Sequence, residues 1–206
     1  MTCQTLDLPD ADLRYQPQWL PQDEADALFV ALREGISWER HRLRLFGRDV
    51  DAPRLSCWIG DSDAIYTYSR TRFVPHPWPG ALFSIRSRLR DACGTDFNGV
   101  LANLYRDGSD SMGWHADDEP ELGPRPLIAS LSLGATRRFL MRHHSDHSRK
   151  LAIELAHGSL LLMGGDTQSQ YRHALPKTAR AVGPRINLTF RRLGRARSTP
   201  SQREKE

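Results

Sequence analysis

Cysteine is scarce in this chain, and the few thiols form no recognisable pattern. The 206 residues include only three cysteines, Cys3, Cys57 and Cys93, which are odd in number and far apart. A disulfide framework needs pairs, and a zinc ribbon needs closely spaced pairs of metal ligands, so neither is indicated. We therefore expect the protein to work in the reducing environment of the cytoplasm.

Long apolar runs are missing as well. No stretch approaches the roughly 18 consecutive apolar residues of a membrane-spanning helix. Residues 1–11 lack the basic run and apolar core that mark an export signal. These two absences predict a soluble protein that is not exported and has no membrane partner.

No flexible linker rich in Gly, Ser or Pro divides the chain, and its length suits one well-buried domain. We predict a single domain over residues 1–193 and a monomer. The formal net charge of +4 is a mild bias toward polyanions such as nucleic acid. Part of that charge lies in residues 194–206, which contain almost no apolar side chain and are predicted to be a disordered tail.

The elements fall into two kinds along the chain. Residues 21–36 carry apolar side chains at helical spacing, and a second helix is predicted between Pro79 and Gly94. From Phe97 onward, short apolar and β-branched runs alternate with Gly, Pro and Asp, which is typical of strands. The predicted strands lie near 98–105, 127–133, 138–142, 151–155, 159–164, 170–175 and 185–192. This order indicates an α+β, mainly β fold: a sandwich or jelly roll with the helices packed on one side.

Three residues could form a metal site. His115 and Asp117 are two apart, so on an extended segment both side chains leave the same face. His173 would come from a later strand, which a jelly roll can bring back beside the first. Two histidines and one carboxylate are the ligand set of non-haem ferrous iron. Each histidine alone is more often structural, and an isolated His-x-Asp pair is weak evidence, so the hypothesis depends on their joint occurrence.

The segment Arg185–Arg191 alternates polar and apolar residues. Residues two apart on a strand share a face, so one face would pack and the other would be a polar row. The polar row consists of Arg185, Asn187, Thr189 and Arg191. A guanidinium binds a carboxylate through two parallel hydrogen bonds, so a small dicarboxylic acid such as 2-oxoglutarate would suit this row. A solvated sheet edge is the alternative interpretation.

Asn103 and Tyr105 are also two apart, on the predicted strand before the His-x-Asp pair. They would project toward the same interior, where an amide and a phenol could complete the hydrogen bonding of a bound acid. Core packing with a satisfied polar tip is the alternative role.

Six motifs occur together and in a fixed order. They are Asn103–Arg106 (NLYR), Gly113–Glu119 (GWHADDE), Ile128–Gly134 (IASLSLG), His157–Leu160 (HGSL), His173–Pro176 (HALP) and Pro184–Arg191 (PRINLTFR). In combination they resemble the AlkB family of iron- and 2-oxoglutarate-dependent nucleic-acid demethylases, and most closely its DNA-repair members. The resemblance covers roughly residues 40–193; the first 35 residues and the tail carry no match.

The resemblance implies a double-stranded β-helix core at about 97–193, preceded in the same domain by nucleotide-recognition hairpins at about 40–75. It implies a catalytic centre in which His115, Asp117 and His173 hold Fe(II), with 2-oxoglutarate and O2 as cosubstrates. The implied activity is oxidative removal of N-methyl groups from 1-methyladenine or 3-methylcytosine in DNA, with RNA as a further candidate. Formaldehyde and succinate would be released.

By the same similarity, Arg185 pairs with the far carboxylate of 2-oxoglutarate, and Arg191 lies near its iron-binding end. The residues assisting them would be Asn103, Tyr105, Asn187 and Thr189.

A methylated base within a duplex is inaccessible, so such an enzyme acts on single strands or flips the base out. The segment Tyr66-Thr67-Tyr68-Ser69 matches the family segment whose aromatic ring stacks on that base, and we assign the stacking to Tyr68, opposite His115. The alternative is a pair of half-buried strand tyrosines.

Asp118 and Glu119 would suit a base carrying positive charge, although they could equally be a solvated acidic turn.

Upstream, arginines alternate with other residues from Arg40 to Arg44 and lead to Phe46, Gly47 and Arg48. This predicts a basic hairpin with an apolar tip that could wedge between base steps while its arginines hold phosphates. An ordinary packed strand is equally compatible with this sequence.

Lys177 and Arg180 could contact the phosphate backbone or be plain surface charges.

The expected partner is therefore alkylated DNA, single- or double-stranded. Two other functions stay open on the sequence alone. One is a 2-oxoglutarate oxygenase acting on a protein or small molecule, and the other is a non-catalytic nucleic-acid-binding module.

Overall fold

The computed structural model describes residues 3–45, 48–68 and 71–194. Its helices are α1 (Gln22–Gly35), α2 (Gly80–Cys93) and the short α3 (Thr167–Gln170), with a 3-10 turn at Pro120–Leu122. Its strands are β1 (Gln4–Thr5), β2 (Asp12–Gln16), β3 (Arg42–Leu45), β4 (Arg48–Asp51), β5 (Leu55–Gly60), β6 (Tyr66–Tyr68), β7 (Thr71–Phe73), β8 (Gly99–Tyr105), β9 (Met112–His115), β10 (Ile128–Gly134), β11 (Arg137–His143), β12 (Lys150–Leu155), β13 (Ser159–Gly164), β14 (Tyr171–Leu175) and β15 (Arg185–Arg191). Both long helices and all seven predicted strands are confirmed to within one residue.

Two antiparallel sheets form the body of the molecule. The larger has seven strands in the order β1-β2-β13-β10-β15-β8-β5, and the smaller has four in the order β12-β11-β14-β9. Neighbouring strands in each sheet are often distant in sequence, as in a jelly roll. The mainly β fold with a double-stranded β-helix core is therefore confirmed.

The helices cover the outer face of the larger sheet. Leu28 and Leu32 of α1 and Leu82 and Leu89 of α2 are buried in one apolar cluster. The apolar side of β15 joins the same cluster through Ile186, Leu188 and Phe190. A second apolar cluster includes residues of both sheets and borders the polar pocket described below through Phe139 and Met163. In the described parts of the chain, no helix is both long and apolar enough to cross a membrane.

Three strands of the larger sheet were not predicted: β1, β2 and β5. In β2 only Leu13 and Tyr15 are buried apolar residues, too few for a clear alternating pattern. In β5 five consecutive residues are buried, so no alternation exists to be read. The larger sheet thus recruits strands from well before residue 97.

A buried arginine fixes the loops that lead into and out of the two strands bearing the histidines. Arg137 is 3% exposed and donates to the carbonyl oxygens of Asp107 (2.9 Å), Asp110 (2.9 Å) and Pro176 (2.8 Å). The first two carbonyls precede β9, and the third follows β14. Asp110 in turn is buried and accepts two side-chain hydrogen bonds from Arg106.

We predict that Arg137→Met lowers the free energy of unfolding by about 3 kcal/mol, because three carbonyl oxygens lose charge-assisted donors. Urea denaturation measures this. Arg138→Met is the matched control, since the neighbouring Arg138 is exposed on the same strand. Equal losses in the two variants would contradict the role of Arg137.

Candidate active site

The predicted metal ligands meet between the two sheets. His115, Asp117 and His173 each offer one ligand atom, and these three atoms lie within 4.8 Å of one another. His115 and His173 are opposed across β9 and β14, and Asp117 follows β9 directly. In the described chain this is the only such group of His, Cys, Asp and Glu residues.

The protonation states suit a divalent cation. The Nδ1 of His115 donates to the carbonyl oxygen of Gly113 (2.9 Å), which leaves its Nε2 with a free lone pair. Burial lowers the pKa of His115 and lowers the pKa of His173 to about 3, so both imidazoles are neutral. Burial alone would raise the pKa of Asp117, but the charge of Arg191 and its hydrogen bond act against it, and the net pKa is lowered. Two neutral imidazoles and a carboxylate fit Fe(II).

Arg191 links this centre to the polar row of β15. Its Nη2 donates to Oδ1 of Asp117, and both side chains are almost fully buried. A buried pair is retained only when its geometry compensates for the loss of hydration. Arg191 therefore fixes the carboxylate that would bind the metal.

Arg185 lies at the other end of the row without a charged partner. It is 2% exposed, and its Nη2 donates to Ser132 Oγ (2.9 Å) and Asn187 Oδ1 (2.7 Å). Its buried Nε has no hydrogen-bond partner, and no carboxylate in the described chain pairs with it. Burial lowers its pKa to about 10, which still leaves it charged at neutral pH. A buried cation with spare donors fits a carboxylate ligand.

One pocket contains both ends of the row. All nine predicted metal and cosubstrate residues line it: Asn103, Tyr105, His115, Asp117, His173, Arg185, Asn187, Thr189 and Arg191. Its apolar lining consists of Leu101, Met112, Phe139, Met163 and Leu175. The polar row of β15 therefore forms one wall of this pocket, while the apolar face of the strand packs in the core. The alternative interpretation of a solvated sheet edge was wrong.

Residues that the sequence analysis missed support this lining. The buried Gln168 of α3 accepts from the backbone N–H of Asp117 (3.0 Å). The buried Arg54 donates through Nε to Asn103 Oδ1 (2.9 Å). Ser130 donates to Asn187 (3.1 Å). The serines of β10 gave one usable signal, since Ser130 and Ser132 interrupt an apolar run at a spacing of two.

The acidic pair predicted to bind the base does not line this pocket. Asp118 is exposed and Glu119 partly buried, at the start of the 3-10 turn, and neither lines it. Tyr66 and Tyr68 are the ends of β6, while Ser69 falls outside the described residues.

The basic hairpin is present as β3 and β4, with Arg48 as the first residue of β4. Its predicted tip, Phe46 and Gly47, lies outside the described residues. Lys177 and Arg180 are exposed in the segment after β14.

The two hairpins, β3–β4 and β6–β7, are attached to the body near Glu39. Glu39 exchanges two backbone hydrogen bonds with Ser56 of β5 (2.9 Å each). Its carboxylate accepts from His76 Nε2 (3.0 Å), and His76 follows β7. Glu39 thus connects the bases of both hairpins, through its backbone to β5 and through its side chain to His76.

We predict that His173→Ala weakens metal binding by more than about 100-fold, because second-sphere changes alone cost 10–100-fold and this removes a ligand. Calorimetric titration with Mn²⁺, a redox-stable stand-in, measures it. The control is His144→Ala, which removes an exposed imidazole in the turn after β11. Unchanged affinity in His173→Ala would exclude this residue as a ligand.

Comparison with known proteins agrees with this geometry. A model of the 2OG-Fe(II) oxygenase superfamily matches residues 12–191. The prediction that the first 35 residues carry no family match was therefore wrong for residues 12–35, which supply β2 and α1.

Two relatives and one solved structure illustrate the similarity. The chain is 40% identical over 184 residues to alpha-ketoglutarate-dependent dioxygenase alkB homolog 3 of Homo sapiens. The aligned region covers 85% of this chain and 64% of that protein. It is 38% identical over 180 residues to DNA oxidative demethylase ALKBH2 of Mus musculus, covering 82% and 75%. The structure of OsALKBH1 aligns with a TM-score of 0.60 at 19% identity, over 93% of this chain and all of that one, and supports the fold.

The chain spans slightly less than two thirds of the length of the alkB homolog 3 relatives. The family model nevertheless covers most of the chain, and the ALKBH2 relative is covered over three quarters of its length. The chain belongs to the 2OG-Fe(II) oxygenase superfamily and, within it, to the AlkB family.

Proposed function

We propose that the protein is an oxidative demethylase that repairs 1-methyladenine and 3-methylcytosine in DNA. The observation that carries this proposal is the pocket itself, in which a three-ligand metal centre faces a buried arginine without a counterion. The similarity to a protein named DNA oxidative demethylase supports the choice of substrate.

The chain's own residues would divide the work as follows. His115, Asp117 and His173 would hold Fe(II), which with 2-oxoglutarate and O2 would supply the hydroxylation of the N-methyl group. One oxygen atom of O2 would go to succinate, formed with carbon dioxide, and the other to the methyl group, which would leave as formaldehyde. Arg185 would hold the far carboxylate of 2-oxoglutarate, and Arg191 would keep Asp117 ionised and oriented.

The apolar lining of the pocket would limit the access of water. Exclusion of water strengthens the polar contacts in the site and suppresses wasteful oxidation. Asn103, held by Arg54, and Tyr105 would direct polar atoms toward the bound acid.

Arg185→Gln is expected to raise the KM for 2-oxoglutarate by roughly 10- to 100-fold, because a hydrogen bond to a charged group contributes about 1.5–3 kcal/mol. Succinate formation at increasing 2-oxoglutarate measures the change. Arg33→Gln, on the exposed surface of α1, is the control. An unchanged KM would show that the acid binds elsewhere.

The substrate is tested with matched single- and double-stranded oligonucleotides that carry either methylated base. We expect formaldehyde and succinate in equal amounts from the intact protein. Tyr68→Ala should raise the KM for the oligonucleotide by roughly 5- to 100-fold, since a stacked base contributes about 1–3 kcal/mol, and Tyr68→Phe should restore it. Succinate without formaldehyde from every oligonucleotide would favour a protein or small-molecule substrate.

A further inference from the structure

The smaller sheet has an outer face that the catalytic pocket does not use. Met141, His173 and His115 are in register across β11, β14 and β9 and point inward. Because side chains alternate along a strand, Arg142 and Arg172 point outward. This outer face begins directly beside the metal centre.

A row of three cations crosses this face. Lys150 of β12 lies opposite Arg142 of β11, which lies opposite Arg172 of β14. None of the three forms an ion pair with a carboxylate of the described chain; the nearby Glu154 lies opposite Arg138 instead. Like charges placed directly opposite one another destabilise a sheet. An anionic partner bound to this row would offset the repulsion between its three cations.

An exposed tryptophan adjoins the row. Trp114 is 38% exposed and immediately precedes the ligand His115. The guanidinium of Arg142 reaches across β14 and lies 4.1 Å from the centroid of its ring. A cation over an aromatic face holds that ring in place and leaves the rest of it to solvent. The ring is therefore fixed at the surface next to the metal centre.

We propose that the outer row (Lys150, Arg142, Arg172 and Trp114) binds the single-stranded nucleic acid that flanks the target nucleotide. The cations would hold phosphates, and Trp114 would stack on a neighbouring base. Strands lie about 4.8 Å apart, so the cations extend over roughly 10 Å, enough for more than one phosphate. Cations interleaved with an aromatic platform are the usual means of binding single strands without sequence preference.

This inference rests on the proposed function, since it assigns the outer row to the same substrate. It adds that the protein recognises a strand longer than the base in its pocket. It also assigns contact with the flanking strand to a surface of the four-stranded sheet, in addition to the hairpins.

The test measures binding apart from turnover. Fluorescence anisotropy follows an unmethylated single strand of about 12 nucleotides bound to the Mn²⁺- and 2-oxoglutarate-loaded protein at increasing salt. The double variant Arg142→Gln/Arg172→Gln should reduce the slope of log K against log salt by roughly 1.4, that is about 0.7 for each cation. The control is Arg33→Gln/Arg90→Gln, which removes two exposed arginines from the helices on the far side.

Trp114 is tested by affinity. Trp114→Ala should weaken binding of the long strand by roughly 5- to 100-fold with little change in the salt slope, and Trp114→Phe should recover much of the loss. For methylated substrates, the ratio of KM for a strand of about 3 nucleotides to KM for one of about 12 should fall toward unity in both sets of variants.

Binding and salt slopes equal to those of the control would overturn the inference while leaving demethylation intact. It would also be overturned if polyglutamate bound as tightly as the oligonucleotide with the same dependence on Trp114, since the partner would then be an acidic protein. Failure of the proposed function is distinguishable, because it would abolish formaldehyde release and leave the anisotropy differences in place.

Discussion

The site depends on the buried contact between Arg191 and Asp117. Arg191 ends β15 of the larger sheet, and Asp117 follows β9 of the smaller one, so this pair joins the two halves of the pocket. Removing one partner of such a pair would leave the other charged and unpaired, at a cost of about 3–5 kcal/mol. The pair therefore keeps the metal-ligand set assembled before any ligand is present, while Gln168 fixes the backbone of Asp117 from the other side.

The charges of the pocket also explain why the metal and the acid belong together. With neutral imidazoles, Arg185 and Arg191 contribute two positive charges and Asp117 one negative charge, so the protein alone leaves an excess of positive charge in a buried space. A divalent cation alone would add to that excess. A dicarboxylate brings two negative charges and offsets it, so each ligand makes the pocket more favourable for the other. Within the described ranges no protein carboxylate pairs with Arg185, so a carboxylate of the acid can bind there.

The sequence predicted this centre well because its signals are local. The period of two in β15 and the spacing of His115 and Asp117 each fix which side chains share a face. The return of His173 required the jelly-roll topology, which short strands separated by turns indicate only in outline. Arg54, Gln168 and Arg137 were missed because their partners are distant in sequence and are backbone or amide groups, which leave no pattern. The strand β2 was missed because its alternation is short and includes only two apolar residues, and β5 was missed because it is too uniformly buried to alternate.

The metal and cosubstrate residues are attached to the fold differently from the two hairpins. The ligands of the metal lie on or directly beside strands paired on a common sheet, and the cosubstrate residues lie on β8 and β15, which pair along seven residues. The hairpins β3–β4 and β6–β7 are two-stranded ribbons outside both sheets, and such ribbons are only marginally stable on their own. Their anchorage to β5 is local, through the backbone pairing of Glu39 with Ser56 and of His76 with Trp58 and Gly60, and through the contact of Glu39 with His76. Changes in these ribbons therefore need not disturb the metal centre, and under the proposed function they would alter base recognition alone. A nucleic-acid strand bound across the proposed outer row would contact the four-stranded sheet and not the ribbons, so the hairpins would select the base while the sheet supplies general affinity.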